Sequence, residues 1–152
     1  MTKNYDPETH WDNIGKKSKS GLGQKAKFGT NQTGKSQYDI PSFDAQSKFV
    51  NYINIDSKVL DIGSGIGLEV IKLIKKGIDA NGCDISGELI KVAQGNCKEY
   101  GINTSNIFYK WNGYNLPFCK NSYDVITTNT TLQHVIDEIQ IERIFKEVKR
   151  VL

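Results

Sequence analysis

Cysteine is scarce in this chain, and the few present form no pattern. Cys83, Cys97 and Cys119 are odd in number and widely spaced, with no C-x-x-C pair, which argues against both a disulfide framework and a zinc site. Histidine is scarcer still: His10 and His134 stand far apart, and no metal centre is expected. Long apolar runs are missing too. None approaches the roughly 20 residues a membrane span requires, and the opening MTKNYDPETHWDNIG lacks the apolar core of a secretory signal. The chain is therefore expected in the cytoplasm, with no membrane partner. No internal repeat is visible. The rest, 38% hydrophobic and 24% charged over 152 residues, suffices for one domain with a single core.

Charge is unevenly placed. Residues 1–37 carry seven lysines against three acids, with five glycines and few apolar side chains. Such a composition does not hold a core, so residues 1–40 read as a basic, Gly/Lys-rich, flexible arm. Contact with nucleic acid is the alternative its charge leaves open. Within the arm, Gly29-Thr-Asn-Gln-Thr-Gly34-Lys35-Ser36 matches the phosphate-binding pattern G-x-x-x-x-G-K-[ST]. That pattern needs a buried strand before it and a helix after it, because loop amides and helix N-terminus together hold the phosphates. The preceding KSGLGQKAKF is no apolar strand, and Pro41 arrives too soon for the helix. P-loop nucleotide binding stays only as an alternative.

From Pro41 onward the pattern is regular. Ser42 is placed to cap a helix over 43–53, with Phe49, Val50 and Ile53 on one face. Strands are predicted at 58–62, 78–83, 107–111 and 123–127. Helices are predicted at 68–76, from the Ser86 cap to Tyr100, and at 138–152, the last with Ile141, Ile144, Phe145, Val148 and Leu152 on one stripe. Strands alternating with helices predict an α/β fold built on a parallel sheet with crossover helices.

The strongest signal is Val59-Leu-Asp-Ile-Gly-Ser-Gly-Ile-Gly67: a strand ending in acid, then alternating glycines, then a helix. Such a turn lets a ligand lie against the backbone beyond the carboxyl ends of the strands. A dinucleotide does not suit it. The fingerprint G-x-G-x-x-G/A finds Leu68 at its sixth place counted from Gly63 and Val70 counted from Gly65, and Glu69 in the first helical turn sets a like charge against a phosphate.

D-x-G-x-G-x-G after a hydrophobic strand resembles the first motif of class I methyltransferases, which use S-adenosylmethionine. Further segments match in order: Asp84 at the end of the second strand; Trp111-Asn-Gly-Tyr-Asn-Leu-Pro-Phe118 against G-D-A-x-x-L-P-F; Tyr123-Asp-Val-Ile126 against F-D-V-V; Leu132-Gln-His-Val135 against L-x-H-V; and Arg150-Val-Leu152. The resemblance covers residues 41–152 and implies a Rossmann-like sheet in strand order 3-2-1-4. It implies cofactor contacts by the loop residues Asp61, Gly63, Ser64, Gly65 and Gly67. Further along the chain it implies them for Asp84, Ile85, Asn112, Gly113 and Asn129.

Several roles keep a plainer alternative beside them. Asp84 holds the ribose hydroxyls or only caps a helix; Asp61 meets the methionine amine or only braces the loop. Asn112 stands where the family has Asp beside the adenine amino group, without the charge assistance of a carboxylate, or is a turn residue. His134 is a packing or capping residue or a base. No catalytic residue is assigned. The segment after the fourth strand, Thr127-Thr-Asn-Thr-Thr131, lacks the [ND]-P-P-[YFW] of amino-methylating enzymes, and no Pro-Cys pair is present. The L-P-F loop resembles the ubiquinone-type and other small-molecule branch, so a methyltransferase with a small-molecule acceptor is expected, RNA or protein coming second; a module that binds the cofactor without turnover is the alternative. Family members usually continue past R-V-L into a fifth strand and a hairpin, so the sheet is expected to lack strands 5–7 and to leave the fourth strand as an edge.

Overall fold

The computed structural model describes residues 5–18, 28–30, 36–38 and 48–152. The main sheet has four parallel strands in the order β5 (Phe108–Lys110), β4 (Asp79–Asp84), β3 (Lys58–Ile62), β6 (Val125–Thr127). In terms of the four expected strands this is 3-2-1-4. The crossovers are helices α2 (Leu68–Lys75), between β3 and β4, and α3 (Gly87–Glu99), between β4 and β5; α4 (Glu138–Val151) follows β6.

Alternation along β3 sorts the core into two layers. Val59 joins Val70, Ile71 and Leu73 of α2 and Ile90, Ala93 and Cys97 of α3 in one cluster. Leu60 and Ile62 join Ile144 and Val151 of α4, with Trp111 and Tyr123, in the other. Thus α2 and α3 cover one face of the sheet and α4 the other, the arrangement a parallel sheet requires. Two of the far-separated motifs meet on the α4 side. Arg150 donates to the carbonyls of Phe118 (2.7 Å) and Leu116 (3.0 Å), while Glu147 accepts from the Leu116 amide (2.8 Å). The L-P-F loop and the R-V-L end are thus one structural unit.

Helix starts follow their caps. The Ser86 side chain accepts from the Leu89 amide and Asp137 from the Ile139 amide. The N-cap of α2 is Gly67 in the left-handed region, φ 80°, and a Cβ there would meet Phe108 Cζ at 2.7 Å and Ala93 Cβ at 2.9 Å. This glycine therefore serves the turn and the packing of α2 together.

Two expectations need correction. The helix expected over 43–53 is, where described, a 3-10 helix at Lys48–Tyr52; Ser42 and residues 43–47 lie outside the described residues. Its apolar stripe still packs, with Val50 buried in the α2–α3 cluster and Phe49 and Ile53 against it. The chain leaves this helix in a turn at Asn54, which accepts from the Ser57 amide at its carbonyl and from the Asp56 amide at its side chain. The second correction concerns the arm, where no element was expected. It contains α1 (Pro7–Lys17) and two short antiparallel strands, β1 (Phe28–Thr30) and β2 (Ser36–Tyr38). Asp6 caps α1 through the Glu8 amide, Pro7 opens it, and Lys16 and Lys17 close it, each at the end its chemistry favours. The P-loop-like segment runs from β1 into β2, so Ser36 begins an antiparallel strand rather than a helix; Lys35 lies outside the described residues, as does most of the remaining arm.

Gly67→Ala is expected to lower folding stability by about 1–3 kcal/mol through backbone strain and overpacking, read as a lower urea midpoint. An unchanged midpoint would mean that the α2–β5 packing is looser than described.

Candidate functional site

At the carboxyl ends of β3 and β4 the chain closes a tight knot. The amides of Gly63 and Ser64 both donate to the Cys83 carbonyl (2.8 and 3.0 Å), and the Gly67 amide donates to the Ser64 carbonyl (2.9 Å). The Asp84 carboxylate completes it: Oδ2 accepts from the Gly65 amide and Oδ1 from the Ser86 amide, each at 2.8 Å. One buried side chain thereby ties the glycine loop to the start of α3.

A cavity of about 450 Å³ opens over this knot. The sequence-assigned residues Asp61, Gly63, Ser64, Gly65, Asp84, Ile85, Gly113 and Asn129 line it; Gly67 and Asn112 do not. Gly67 faces the packing described above. Asn112 is exposed, and its Oδ1 accepts from the amides of Tyr114 (3.0 Å) and Asn115 (2.9 Å), which is the turn contact named as its alternative. The adjoining Gly113 is held from α4, where Gln140 donates to its carbonyl at 3.1 Å.

The wall is acidic. Asp61, Glu69 and Asp84 all line the cavity and all are buried. Burial above all raises the Asp61 carboxyl to about 7, against the lowering effect of the Thr127 hydroxyl, which donates to it at 2.9 Å, and with further upward pushes from Glu69 and Asp84. Asp84 is also raised, by burial above all, against the lowering effect of the Ser86 and Gly65 amides. Carboxylates gathered in a low-dielectric wall are costly alone and favour a cationic occupant. Two further buried polar atoms of lining residues, Ser64 Oγ and Trp111 Nε1, find no hydrogen-bond partner among the described residues.

Several lining residues escaped the sequence reading. Thr131 sits over the glycine loop, donating toward the Ile62 carbonyl at 3.2 Å. Pro7 and Trp11 come from α1, and the Trp11 ring meets that of His134 edge-on, centroids 5.0 Å apart. The caps of α1 were the signal that could have found them. His134 itself lines the cavity.

Sheet order, strand-end glycine loop and cavity position together define a Rossmann-like methyltransferase fold. A family model described as "Methyltransferase domain" matches residues 59–152, and the chain belongs to that family. It is 32% identical over 113 residues to norajmaline N-methyltransferase of Rauvolfia serpentina, covering 71% of this chain and 38% of that protein. It is 30% identical over 100 residues to the ubiquinone/menaquinone biosynthesis C-methyltransferase of Rhizobium meliloti, covering 64% and 38%. A solved SAM-dependent methyltransferase of Methanosarcina mazei superposes with a TM-score of 0.61 at 35% identity, covering 67% of this chain and 50% of that one. The chain spans little more than a third of the two curated relatives' length. These likenesses imply S-adenosylmethionine as the cofactor.

Asp61 also makes a stability prediction. Its carboxyl ionises near 3.8 when unfolded and near 7 when folded, so the folded state holds the proton more tightly. Stability from this group is complete below about pH 4 and lost as pH rises through about 7. Asp61→Asn keeps an acceptor for Thr127 and has no proton to lose. Relative to that variant, the native chain's thermal midpoint should therefore fall between about pH 4 and 7 and level off above that. Parallel midpoint curves for the two proteins would show that Asp61 titrates normally.

Proposed function

We propose that this chain is the cofactor-binding part of an S-adenosylmethionine-dependent methyltransferase acting on a small-molecule acceptor. The observation that carries the reading is the conjunction of a strand-end glycine loop, knotted to Asp84, with a cavity walled by three carboxylates. S-adenosylmethionine brings an ammonium and a sulfonium and no phosphate, so it suits that wall; a pyrophosphate there would face Glu69 and its neighbours. The volume lies within the range of small-ligand sites.

Each residue has a place in this reading. Asp84 would hold the ribose hydroxyls, since each oxygen, having accepted one amide, retains a second lone pair. Asp61 would meet the ammonium end, where a cation draws its proton off. The backbone from Gly63 to Gly65 would lie beneath the cofactor, Ile85 and Gly113 beside its base, and Asn129 at the cavity mouth. Asn112 contributes by shaping the turn that presents Gly113. Ser64 Oγ and Trp111 Nε1 offer unspent hydrogen-bonding capacity.

The cofactor, when bound, supplies the methyl group on a sulfonium. The protein's part is to hold that group in line with a nucleophile and to keep water out, which in favourable cases is worth on the order of 7–11 kcal/mol of barrier. The norajmaline N-methyltransferase and the ubiquinone/menaquinone biosynthesis C-methyltransferase among its relatives support a small-molecule acceptor here. Among the described residues no helix is long and apolar enough to cross a membrane. The free thiols of Cys83, Cys97 and Cys119 suit a reducing compartment, and we place the protein in the cytoplasm.

Calorimetry should show S-adenosylmethionine binding to the native chain, tightening as pH rises from about 6 to 8 and Asp61 ionises. Asp84→Ala should weaken it at least about tenfold, the loss of a charge-assisted contact. Absence of binding by the native chain, or full affinity in Asp84→Ala, would overturn the reading. Incubation with methyl-labelled cofactor and a fractionated cell extract should put label in the small-molecule fraction. Label confined to RNA or to protein would overturn the acceptor class.

A further inference from the structure

Helix α1 does more than cover the cavity. It crosses the start of α3 so closely that a Cβ on its buried Gly15 would fall 2.7 Å from Glu88 Cβ and 2.8 Å from the Leu89 amide nitrogen. At that crossing the half-buried Asp12 points at the beginning of α3. Its Oδ1 accepts from Ser86 Oγ at 2.6 Å and from the Glu88 amide at 3.3 Å. The Ser86 hydroxyl in turn accepts from the Leu89 amide at 3.1 Å, and the Ser86 amide donates to Asp84 Oδ1 at 2.8 Å. The chain of contacts is therefore continuous: Asp12, Ser86, Asp84, Gly65.

Other contacts hold the same helix in place. Trp11 packs on Ile66, Leu68 and Leu89 and meets the ring of His134 edge-on at the rim of the cavity. Glu8 pairs with Lys110 at the end of β5, an exposed pair that contributes little to stability. Hydrogen bonding to Ser86 and Glu88 also keeps the Asp12 carboxyl below its ordinary range, against a smaller opposing effect of burial. The anion is the form Ser86 holds, beside the N-terminus of α3 where negative charge is favoured.

We propose that Asp12 is a positioning residue for the cofactor site: it orients Asp84 through Ser86 and so makes α1 docking and cofactor binding favour one another. The inference rests on the cofactor reading above. Ser86 is held between Asp12 and the Leu89 amide; with Asp12 removed its hydroxyl loses an acceptor, the start of α3 loosens, and the Asp84 oxygens lose their set direction. Linkage then works in both directions, because a ligand that tightens on docked α1 must stabilise the docking by the same factor.

S-adenosylhomocysteine, which cannot transfer a methyl group, is the probe. Asp12→Ala and Ser86→Ala should each raise its dissociation constant about tenfold, and the double variant should be no weaker than about either single one, because both break the same path. Asp12→Asn retains an accepting oxygen for Ser86 and should stay within about twofold of native. On the native chain, hydrogen exchange of amides in 7–17 should slow when the ligand saturates. This last reading needs no variant to fold. Native binding with unaltered affinity in Asp12→Ala, an Asn variant as weak as the Ala variant, or ligand-independent exchange in α1 would each overturn the proposal while leaving the cofactor reading intact. Failure of the native chain to bind at all would instead remove the cofactor reading beneath it.

Discussion

The Asp84 carboxylate is the hinge of this structure because it is buried and its two oxygens serve two different pieces of chain. One accepts the amide of Gly65 in the loop after β3; the other accepts the amide of Ser86 at the start of α3. A buried carboxylate left without donors is expensive, so the loop and the helix start must both come to it. The parallel pairing of β3 with β4, in register from Lys58–Asp79 to Ile62–Cys83, delivers them to the same end of the sheet. Cavity, glycine loop and α3 are thus arranged around one side chain.

The same economy explains the acidity of the cavity. Asp61, Glu69 and Asp84 come from a strand end, a helix start and a second strand end, and none of them is close in sequence to both others. In that buried wall Glu69 and Asp84 add to the effect of burial in raising the affinity of Asp61 for its proton, a cost to the ligand-free fold that a cation would relieve. Stability is given up where binding is wanted, the pattern expected of a functional site.

Helix α1 shows where composition misleads. Averaged over residues 1–37, lysine and glycine outweigh apolar residues, and the average reads as a leader without structure. The information lay at single positions. Asp6, Pro7 and Glu8 start a helix, Lys16 and Lys17 end it, and Trp11 gives it something to bury. Even so, a helix of this length is marginal alone; its docking on α3 depends on Gly15 meeting Glu88 and Leu89, residues more than seventy positions away.

The sequence by itself determined the alternation of strands and helices, because apolar spacing of two or of three to four residues is a local property. The succession of motifs along the chain also placed the glycine loop, and the family resemblance those motifs carry implied the strand order. Only tertiary structure decided what local spacing does not encode. It formed a 3-10 helix at Lys48–Tyr52, engaged the Asn112 side chain in its own turn, and set Trp11 against His134 at the rim of the cavity. Those outcomes depend on which distant surfaces meet, and that is fixed by the packing of the whole core.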